Sequence, residues 1–509
     1  MRFPRSAGIL MHPTSLPGRY GIGELGDAAY QYVDFLQEHD QTLWQILPLG
    51  PTGYGDSPYA CFSALAGNPL LIDLSKLSAE GDIPEEELAN APAFPADHVD
   101  FGRVISFKNA ILRRAAGRFR EHANGERRGA FDAFCEENAG WLEDFALFMA
   151  LKDAHDGRPW DTWEEDLVTR EPEALQTWRE QLDEEVFLHR YLQYQFFKQW
   201  EALKTHTNAR GIQIIGDIPI FVAYDSVDVW ANPDLFYLDE NRQPTKVAGV
   251  PPDYFSPTGQ LWGNPLYRWE KLAEQDYTWW IRRIEMTLEK VDIIRLDHFR
   301  GFAAYWEIPA GEETAVNGEW ADGPGAPFFH ALRDALGELP IIAEDLGHIT
   351  PDVEELRDQF SFPGMNILQF AFASDAGNPY LPHNLRQNSV IYTGTHDNDT
   401  TVGWYAKREE DELRNLHRYL GAIDEPVHWA LIRMALRSVS DIAVIPMQGV
   451  LGLGSEARMN TPGKMGGNWT WRYQAGQIDL NRWRELKAMV RTYGRIEPEG
   501  EDGSRPEWM

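Results

Sequence analysis

Short apolar runs recur along the chain, and each of them ends in polar residues or in Gly and Pro. Eight such runs occur, with the motifs GILMHPTS near residue 8, LWQILPLG near 43, GIQIIGDIPIFV near 211, DIIRLDHFRG near 292, PIIAEDLG near 340, MNILQFAF near 365, VIYTGTHDND near 390 and AVIPMQGVLG near 443. Amphipathic helical patterns, such as TWWIRRIEMTLEKV and PVHWALIRMALRS, separate several of them. Alternating strands and helices of this kind predict an α/β fold, a (β/α)8 barrel of the TIM type.

An open, doubly wound sheet is the alternative that the same alternation allows. Such a sheet would carry a Gly-rich phosphate-binding fingerprint after an early strand. The GLGSEAR sequence near residue 452 is too weak on its own to favour it. The eight strands therefore favour the barrel.

Two intervals between the predicted strands are too long for simple connections. Residues 1–50 are predicted to begin the barrel, 51–210 to form a mostly helical insertion subdomain, and 211–509 to complete the barrel. A segment at about 225–275, rich in Pro, Gly and aromatic residues, is predicted to form part of an active-site cover, because such loops often form binding sites. About sixty residues follow the eighth run, so we expect no separate C-terminal domain.

Charge and hydropathy exclude several classes of function. The formal net charge of -32 opposes binding to a nucleic-acid backbone. No run approaches the roughly 20 apolar residues of a membrane helix, and the N-terminal sequence lacks the apolar stretch of an export signal. We therefore expect a cytoplasmic protein, a monomer or weak homodimer, without nucleic-acid or membrane partners.

The two cysteines, Cys61 and Cys135, form neither a CxxC motif nor a spaced Cys/His set. They do not support a disulfide framework or a structural zinc site. We expect no cofactor and no metal, although the sequence does not decide whether a structural calcium ion binds.

Three of the apolar runs end in a carboxylate. Asp297 closes DIIRLD, Glu344 follows PIIA, and Asp397 follows VIYTGTH. Each one alone is more typical of a helix cap or a buried ion pair, but in a barrel the ends of the strands meet at one face, where functional groups lie. Three acids at that face indicate a catalytic set.

Cleavage of a glycosidic bond needs one protonated carboxyl group and one ionised carboxylate. Arg295 lies two residues before Asp297 and projects to the same side of a strand, so it would hold that aspartate ionised as a nucleophile. Glu344 follows an apolar run, where desolvation favours the protonated acid. Asp397 would accept hydrogen bonds from sugar hydroxyls and stabilise the transition state.

These motifs resemble a known family. RLDHFRG, AEDLG and THDNDTTVGWY are similar to motifs of the 4-α-glucanotransferases called amylomaltases or disproportionating enzymes, in the α-amylase clan of retaining barrel enzymes. The resemblance extends over nearly the whole chain, through MHPTSLPGRYGIGELG, LPLGPTGYGDSPYACFSALAGNPLLIDL, GDIPIFVAYDSVDVWANPDLF, LWGNPLY, LQFAF and NTPG. It implies that Asp297 is the nucleophile, Glu344 the acid/base and Asp397 the stabiliser of the transition state.

The resemblance also implies which residues bind substrate. Maltooligosaccharides and α-1,4-glucans would serve as donor and acceptor. The residues that would contact them are Tyr59, Ser57, Asp217, Trp262, Arg295, Phe370, His396, Asn468 and Tyr54. Aromatic rings suit this purpose because sugars present apolar C–H faces.

Three carboxylates do not decide whether water or a second sugar discharges the glycosyl-enzyme. The loop 247–267 bears on this choice, because Tyr254, Phe255 and Trp262 could cover the site and exclude water. We therefore expect transfer of glucan segments. An α-glucan hydrolase of the same clan is the alternative enzyme, and a non-catalytic glucan-binding protein would require that one carboxylate be missing.

Overall fold

The computed structural model describes residues 2–252, 256–422, 424–464 and 466–496. Strands in this part of the chain form two sheets. Their bounds are β1 Ser6–Leu10, β2 Leu43–Gln45, β3 Gln213–Pro219, β4 Lys246–Val250, β5 Gln260–Pro265, β6 Ile293–Asp297, β7 Ala304–Pro309, β8 Glu319–Asp322, β9 Ile341–Ala343, β10 Gly364–Ile367, β11 Ser389–Tyr392 and β12 Ile442–Pro446.

The larger sheet is a parallel barrel. Its strands follow the order β10-β11-β12-β1-β2-β3-β6-β9, and all ladders between neighbours are parallel. The Ala343 amide at the end of β9 donates to the Pro363 carbonyl just before β10 at 2.9 Å, which brings the two outer strands together. Each of these eight strands overlaps one of the eight apolar runs. The predicted (β/α)8 barrel is confirmed.

The helices surround the barrel and fill the long interval after β2. Their bounds are α1 Asp27–Glu38, α2 Leu74–Ala79, α3 Glu85–Ala89, α4 Phe101–His122, α5 Gly125–Glu137, α6 Ala139–Ala154, α7 Glu165–Val168, α8 Pro172–Gln181, α9 Asp183–Asn208, α10 Val227–Ala231, α11 Trp269–Glu274, α12 Thr278–Lys290, α13 Gly325–Leu336, α14 Pro351–Gln359, α15 Thr401–Ala406, α16 Glu410–Leu420, α17 Val427–Arg437, α18 Met447–Leu451 and α19 Leu480–Thr492.

The barrel strands are mostly apolar on both faces because side chains fill the barrel inside and helices cover it outside. Ile293, Ile294 and Leu296 of β6 are all at most 1% exposed. The preceding helix α12 turns Trp280 and Ile284 toward the core, at the spacing of one helical face. This continuous burial explains why the sequence runs are so readily recognised.

Helices α2–α9 occupy the interval between β2 and β3. An aromatic cluster joins three of them: the Phe119 ring of α4 lies 5.5 Å from that of Phe131 in α5 and 5.0 Å from that of Tyr191 in α9. The division at 1–50, 51–210 and 211–509 stays a prediction. At the other end, Trp483 of α19 packs against Phe35 of α1, which anchors the last helix on the barrel.

A second, antiparallel sheet has the order β5-β4-β7-β8. It combines strands of the segment 225–275 with β7 and β8, which follow β6. Trp262 lies on β5, an edge strand, and Trp320 lies on β8, the opposite edge. The predicted cover residues Tyr254 and Phe255 lie outside the described residues.

The glycine spacing that a doubly wound sheet uses to bind dinucleotides, G-x-G-x-x-G, occurs early in the chain. It is formed by Gly21, Gly23 and Gly26, between β1 and α1. Tight packing within the protein accounts for two of these glycines. A Cβ atom at Gly23 would lie 1.9 Å from the Pro13 carbonyl oxygen, and one at Gly26 would lie 1.8 Å from Asp73. The motif therefore does not distinguish a doubly wound sheet from this barrel.

Candidate active site

Acidic side chains meet at the carboxyl ends of the barrel strands. Asp217 lies in β3 and pairs in register with Arg295 of β6. Asp297 is the last residue of β6, and Glu344 follows β9 directly. Asp397 comes from the loop after β11. Parallel strands deliver their ends to one mouth of the barrel, which brings these groups together.

Arg295 links two of the carboxylates. Its Nη1 atom lies 2.7 Å and 2.9 Å from the two oxygens of Asp217 and 2.9 Å from Oδ1 of Asp297. The guanidinium is buried, with 3% exposure. Burial opposes its charge, but Asp217 and then Asp297 outweigh burial and raise the pKa of Arg295. The cation is therefore fixed beside Asp297.

Glu344 has a different environment. Its Oε2 atom accepts a hydrogen bond from the His298 amide at 2.8 Å, and His298 adopts the left-handed backbone conformation (φ 52°) that turns the chain after β6. Burial, followed by the negative charge of Asp297, raises the pKa of Glu344 well above its usual value, and Arg295 and the His298 amide only partly offset this. The geometry favours a protonated carboxyl group at this position.

Tyr59 connects the two halves of the site. Its hydroxyl donates to Asp217 Oδ2 at 2.7 Å and contacts His396 Nε2 at 2.9 Å. The Tyr59 ring stacks on the His396 ring at 5.3 Å, and Trp469 lies 5.8 Å from it. Burial raises the pKa of Asp217 to about 7, although Arg295 and the Tyr59 hydroxyl favour the carboxylate.

Asp397 is held by groups from two loops. His396 Nε2 lies 3.3 Å from Oδ2, and the Asn460 side-chain amide donates to Oδ1 at 2.6 Å. Arg458 donates to the Asp397 carbonyl oxygen at 2.6 Å. The carboxylate is 43% exposed, so it is oriented by hydrogen bonds and still open to solvent.

The remaining predicted residues lie around this network. Ser57 Oγ accepts from the Tyr59 amide at 3.2 Å, which shapes the turn before Tyr59. Trp262 meets the His298 ring edge-on at 4.8 Å and is 39% exposed. Tyr54 lies in a 3-10 turn, Tyr54–Asp56, and is 77% exposed.

Phe370 and Asn468 have contacts outside the network. Phe370 is 40% exposed, and its ring lies 5.6 Å from that of Tyr380. The Asn468 side chain bonds within its own loop, accepting from the Thr461 amide at 3.1 Å and donating to the Lys464 carbonyl at 2.9 Å. The structure thus joins Tyr59, Asp217, Arg295 and His396 to the carboxylates but gives these two residues other partners.

The sequence reasoning assigned no role to four residues at this site. His298, Arg458, Asn460 and Trp469 all contact predicted site residues. Asn460 belongs to the NTPG motif, and His298 follows Asp297 directly. The place of each residue in the sequence could therefore have identified it as part of the site. No group of three or more His, Cys, Asp or Glu side chains able to hold a metal occurs among the described residues.

No helix in the described part of the chain is both long enough and apolar enough to cross a membrane.

An eight-stranded barrel whose mouth holds carboxylates, a buried arginine and stacked aromatic rings defines a class of barrel enzyme acting on carbohydrate. A sequence model of the 4-alpha-glucanotransferase family matches residues 11–478. The 4-alpha-glucanotransferase of Synechocystis sp. is 54% identical, with 96% of this chain and 98% of that protein covered. The 4-alpha-glucanotransferase of Thermus thermophilus is 52% identical, with coverages of 97% and 100%.

Solved structures agree. Amylomaltase from Streptococcus agalactiae, determined in complex with acarbose, has a TM-score of 0.94 and 41% identity and covers 96% of this chain and 99% of its own. The chain belongs to the 4-alpha-glucanotransferase family. It is a hexosyltransferase that acts on glucans, and the expected glucanotransferase function is confirmed.

Proposed function

We propose that this enzyme transfers α-1,4-glucan segments by a retaining double displacement. Asp297 attacks the anomeric carbon while Glu344 protonates the leaving oxygen, which gives a covalent glycosyl-enzyme. Glu344 then takes a proton from the 4-hydroxyl of an acceptor sugar, and that oxygen displaces Asp297. The observation that carries the proposal is the contrast between Asp297, which contacts Arg295 at 2.9 Å, and Glu344, whose pKa burial raises.

Asp397 is proposed to stabilise the transition state. Two donors, His396 and Asn460, fix its carboxylate while leaving it open to solvent, which suits a group that binds sugar hydroxyls. Tyr59 would stack on the sugar that is cleaved, with Ser57 and Asp217 beside it.

Neighbouring sugars would contact the exposed aromatic residues. Trp262 and Phe370 each expose about two fifths of their surface, which suits stacking on the apolar face of a glucose unit. Asn468 would line a neighbouring subsite through the loop that it stabilises. Tyr54, the most exposed of these aromatics, would bind glucan farther out.

Maltooligosaccharides and α-1,4-glucans are the proposed donors and acceptors. The Streptococcus agalactiae amylomaltase was solved with acarbose bound, which supports an oligosaccharide ligand at the corresponding site here. The segment 225–275, with Trp262, is proposed to cover the site and disfavour water as acceptor.

The central test replaces the nucleophile. Asp297→Asn should reduce disproportionation of maltotriose by at least about 10⁴-fold, because the covalent step loses its attacking carboxylate. Wild-type enzyme should convert maltotriose into glucose and a ladder of longer maltodextrins, measured by chromatography.

A matched control is Asp292→Asn, just before the same strand, where Asp292 accepts a hydrogen bond from the Ile214 amide at 2.8 Å. An asparagine oxygen can accept the same bond, so this variant should keep nearly full activity. Substantial transfer by Asp297→Asn would exclude the assignment, and maltose and glucose without longer products from the wild type would exclude transfer.

We further propose that the enzyme acts in the cytoplasm as a monomer or weak homodimer, without nucleic-acid or membrane partners. Cys61 and Cys135 are free thiols, which suits a reducing compartment. Sedimentation velocity across a range of protein concentrations tests the oligomeric state.

A further inference from the structure

A cavity lies behind the stacked Tyr59 and His396 pair, between the ends of β1, β11 and β12. His12, Ser15 and His396 are among the residues that line it. The cavity offers about 30 Å³ to the centres of water molecules, which exceeds the ~10–15 Å³ that one water requires. All three of these side chains are buried.

Hydrogen bonding fixes which nitrogen of His396 carries a proton. Arg295 donates to both oxygens of Asp217, and the Tyr59 hydroxyl donates its only hydrogen to Oδ2 of the same residue. The contact between the Tyr59 oxygen and His396 Nε2 at 2.9 Å therefore requires a hydrogen on Nε2. Burial lowers the pKa of His396, so the ring is neutral and its Nδ1 atom is an acceptor. That Nδ1 atom is buried and has no hydrogen-bond partner among the described residues.

The same reasoning applies to His12. Its Nδ1 atom accepts a hydrogen bond from the Leu47 amide at 3.3 Å, so the hydrogen of the neutral ring is on Nε2. Burial lowers the pKa of His12 to about 3, which keeps the ring neutral. Ser15 Oγ, also on the cavity wall, has no partner in the described part of the chain. The cavity thus combines an N–H donor, a nitrogen acceptor and a hydroxyl group, enough to hold an ordered water.

We propose that His12 is a positioning residue for His396. Its Nε2–H group donates to a water molecule in this cavity, and the water donates to His396 Nδ1. This chain keeps the His396 hydrogen on Nε2, where it serves the Tyr59 oxygen and the Asp397 carboxylate. Ser15 Oγ supplies the third contact of the water. The inference rests on the proposed placement of Tyr59, His396 and Asp397 around the sugar that is cleaved.

The protonated nitrogen of His396 can be measured directly. Long-range ¹H–¹⁵N correlation spectra of histidine-labelled enzyme distinguish the two neutral forms of each ring, and the spectrum of His396→Gln identifies the signal of His396. We expect the Nε2–H form in the wild type. A ring protonated at Nδ1 would overturn the proposal whether or not the proposed roles of the carboxylates are correct.

Two substitutions separate positioning from a structural role. His12→Asn keeps an acceptor for the Leu47 amide but has no donor at the position of Nε2. His12→Gln can reach that position with its amide N–H group but gives up the acceptor for Leu47. We expect His12→Asn to lower kcat at least about tenfold, since a buried acceptor loses its partner, and to shift His396 away from the Nε2–H form. His12→Gln should keep kcat within about threefold and leave the His396 signal in the Nε2–H form.

A structural role predicts the opposite order. Full activity of His12→Asn with loss in His12→Gln would show that the Leu47 contact matters, and unchanged kcat in both variants would equally overturn the proposal. Equal losses with the His396 signal unchanged would do the same. His189→Asn and His189→Gln are matched controls, because His189 is also buried and contacts Asp153 at 3.1 Å in the helical insertion. Neither should change kcat or the His396 signal.

Discussion

At the scale of the residue, burial and one guanidinium give the two carboxylates of the proposed mechanism different surroundings. Arg295 contacts Asp297 directly. Glu344 instead accepts from a backbone amide and lies near the negative charge of Asp297. Burial raises the pKa of Glu344 although Arg295 opposes this, which suits the proposed role of Glu344 as the acid beside the Arg295-bound Asp297.

This arrangement has a cost in stability that can be measured. Burial, followed by Asp297, raises the pKa of Glu344, so its ionised form destabilises the folded protein. Glu344→Gln should abolish transfer and raise the free energy of unfolding by about 1 kcal/mol or more at pH 8. The benefit should vanish as the pH falls below the ordinary carboxyl range, where wild-type Glu344 is protonated in both the folded and the unfolded state.

Calorimetric Tm values at about pH 3 and pH 8 check this. Glu319→Gln on the exposed strand β8 is the control for loss of one negative charge. A Glu344→Gln variant with a lower Tm than the wild type at pH 8 would contradict the explanation.

The sequence could predict the acids at strand ends but not every group that orients them. Asp297 and Glu344 stand where apolar runs end, so their position is visible in the pattern. Asn460 lies 63 residues after Asp397 along the chain, and Arg458 acts on the Asp397 backbone. Contacts of this kind depend on how two loops pack against one another. Hydrophobic periodicity predicts local elements, and it does not predict contacts between distant loops.

At the scale of the element, the barrel strands were easier to predict than the second sheet. The buried parallel strands are mostly apolar, whereas β5 and β8 are largely exposed and carry mixed sequences. β4 also pairs with β7, in a register that runs from Lys246–Pro309 to Gly249–Trp306, so the paired residues are 57 to 63 positions apart in the chain. The segment 225–275 could thus be predicted as an insertion by length and composition, but its partner strands could not.

This sheet carries the residue that we expect to favour transfer over hydrolysis. Trp262 on β5 packs against the ring of His298, whose amide binds Glu344. Trp262→Ala should weaken acceptor binding about two- to tenfold, the contribution of one aromatic contact, and raise the hydrolytic share of turnover. New reducing ends on soluble starch, compared with total transfer, measure that share.

Trp320→Ala is the matched control, because Trp320 is 41% exposed on the opposite edge strand of the same sheet. Its hydrolytic share should remain that of the wild type. An equal increase in both variants would indicate loosening of the sheet, and no increase in Trp262→Ala would remove Trp262 from the choice of acceptor.

At the scale of the whole molecule, the negative surface charge should affect folding stability but not the binding of a neutral substrate. The chain has 79 acidic and 47 basic residues, so pairing leaves a net charge of -32. Such an excess destabilises the compact state by self-repulsion. Glucans carry no charge, so the same field neither attracts nor repels them.

Salt should therefore change stability without changing substrate binding. Raising NaCl from about 10 mM to about 300 mM shortens the Debye length from roughly 30 Å to less than 10 Å, which screens the repulsion among unpaired acids. We expect the Tm to rise over this range while KM for maltotriose stays constant. Sucrose at equal osmolality is the control for effects other than screening.

Two outcomes would contradict this prediction. A fall in Tm would mean that ion pairs such as Arg433–Glu425 contribute more to stability than the net repulsion costs. A change in KM would mean that surface charge does affect substrate binding.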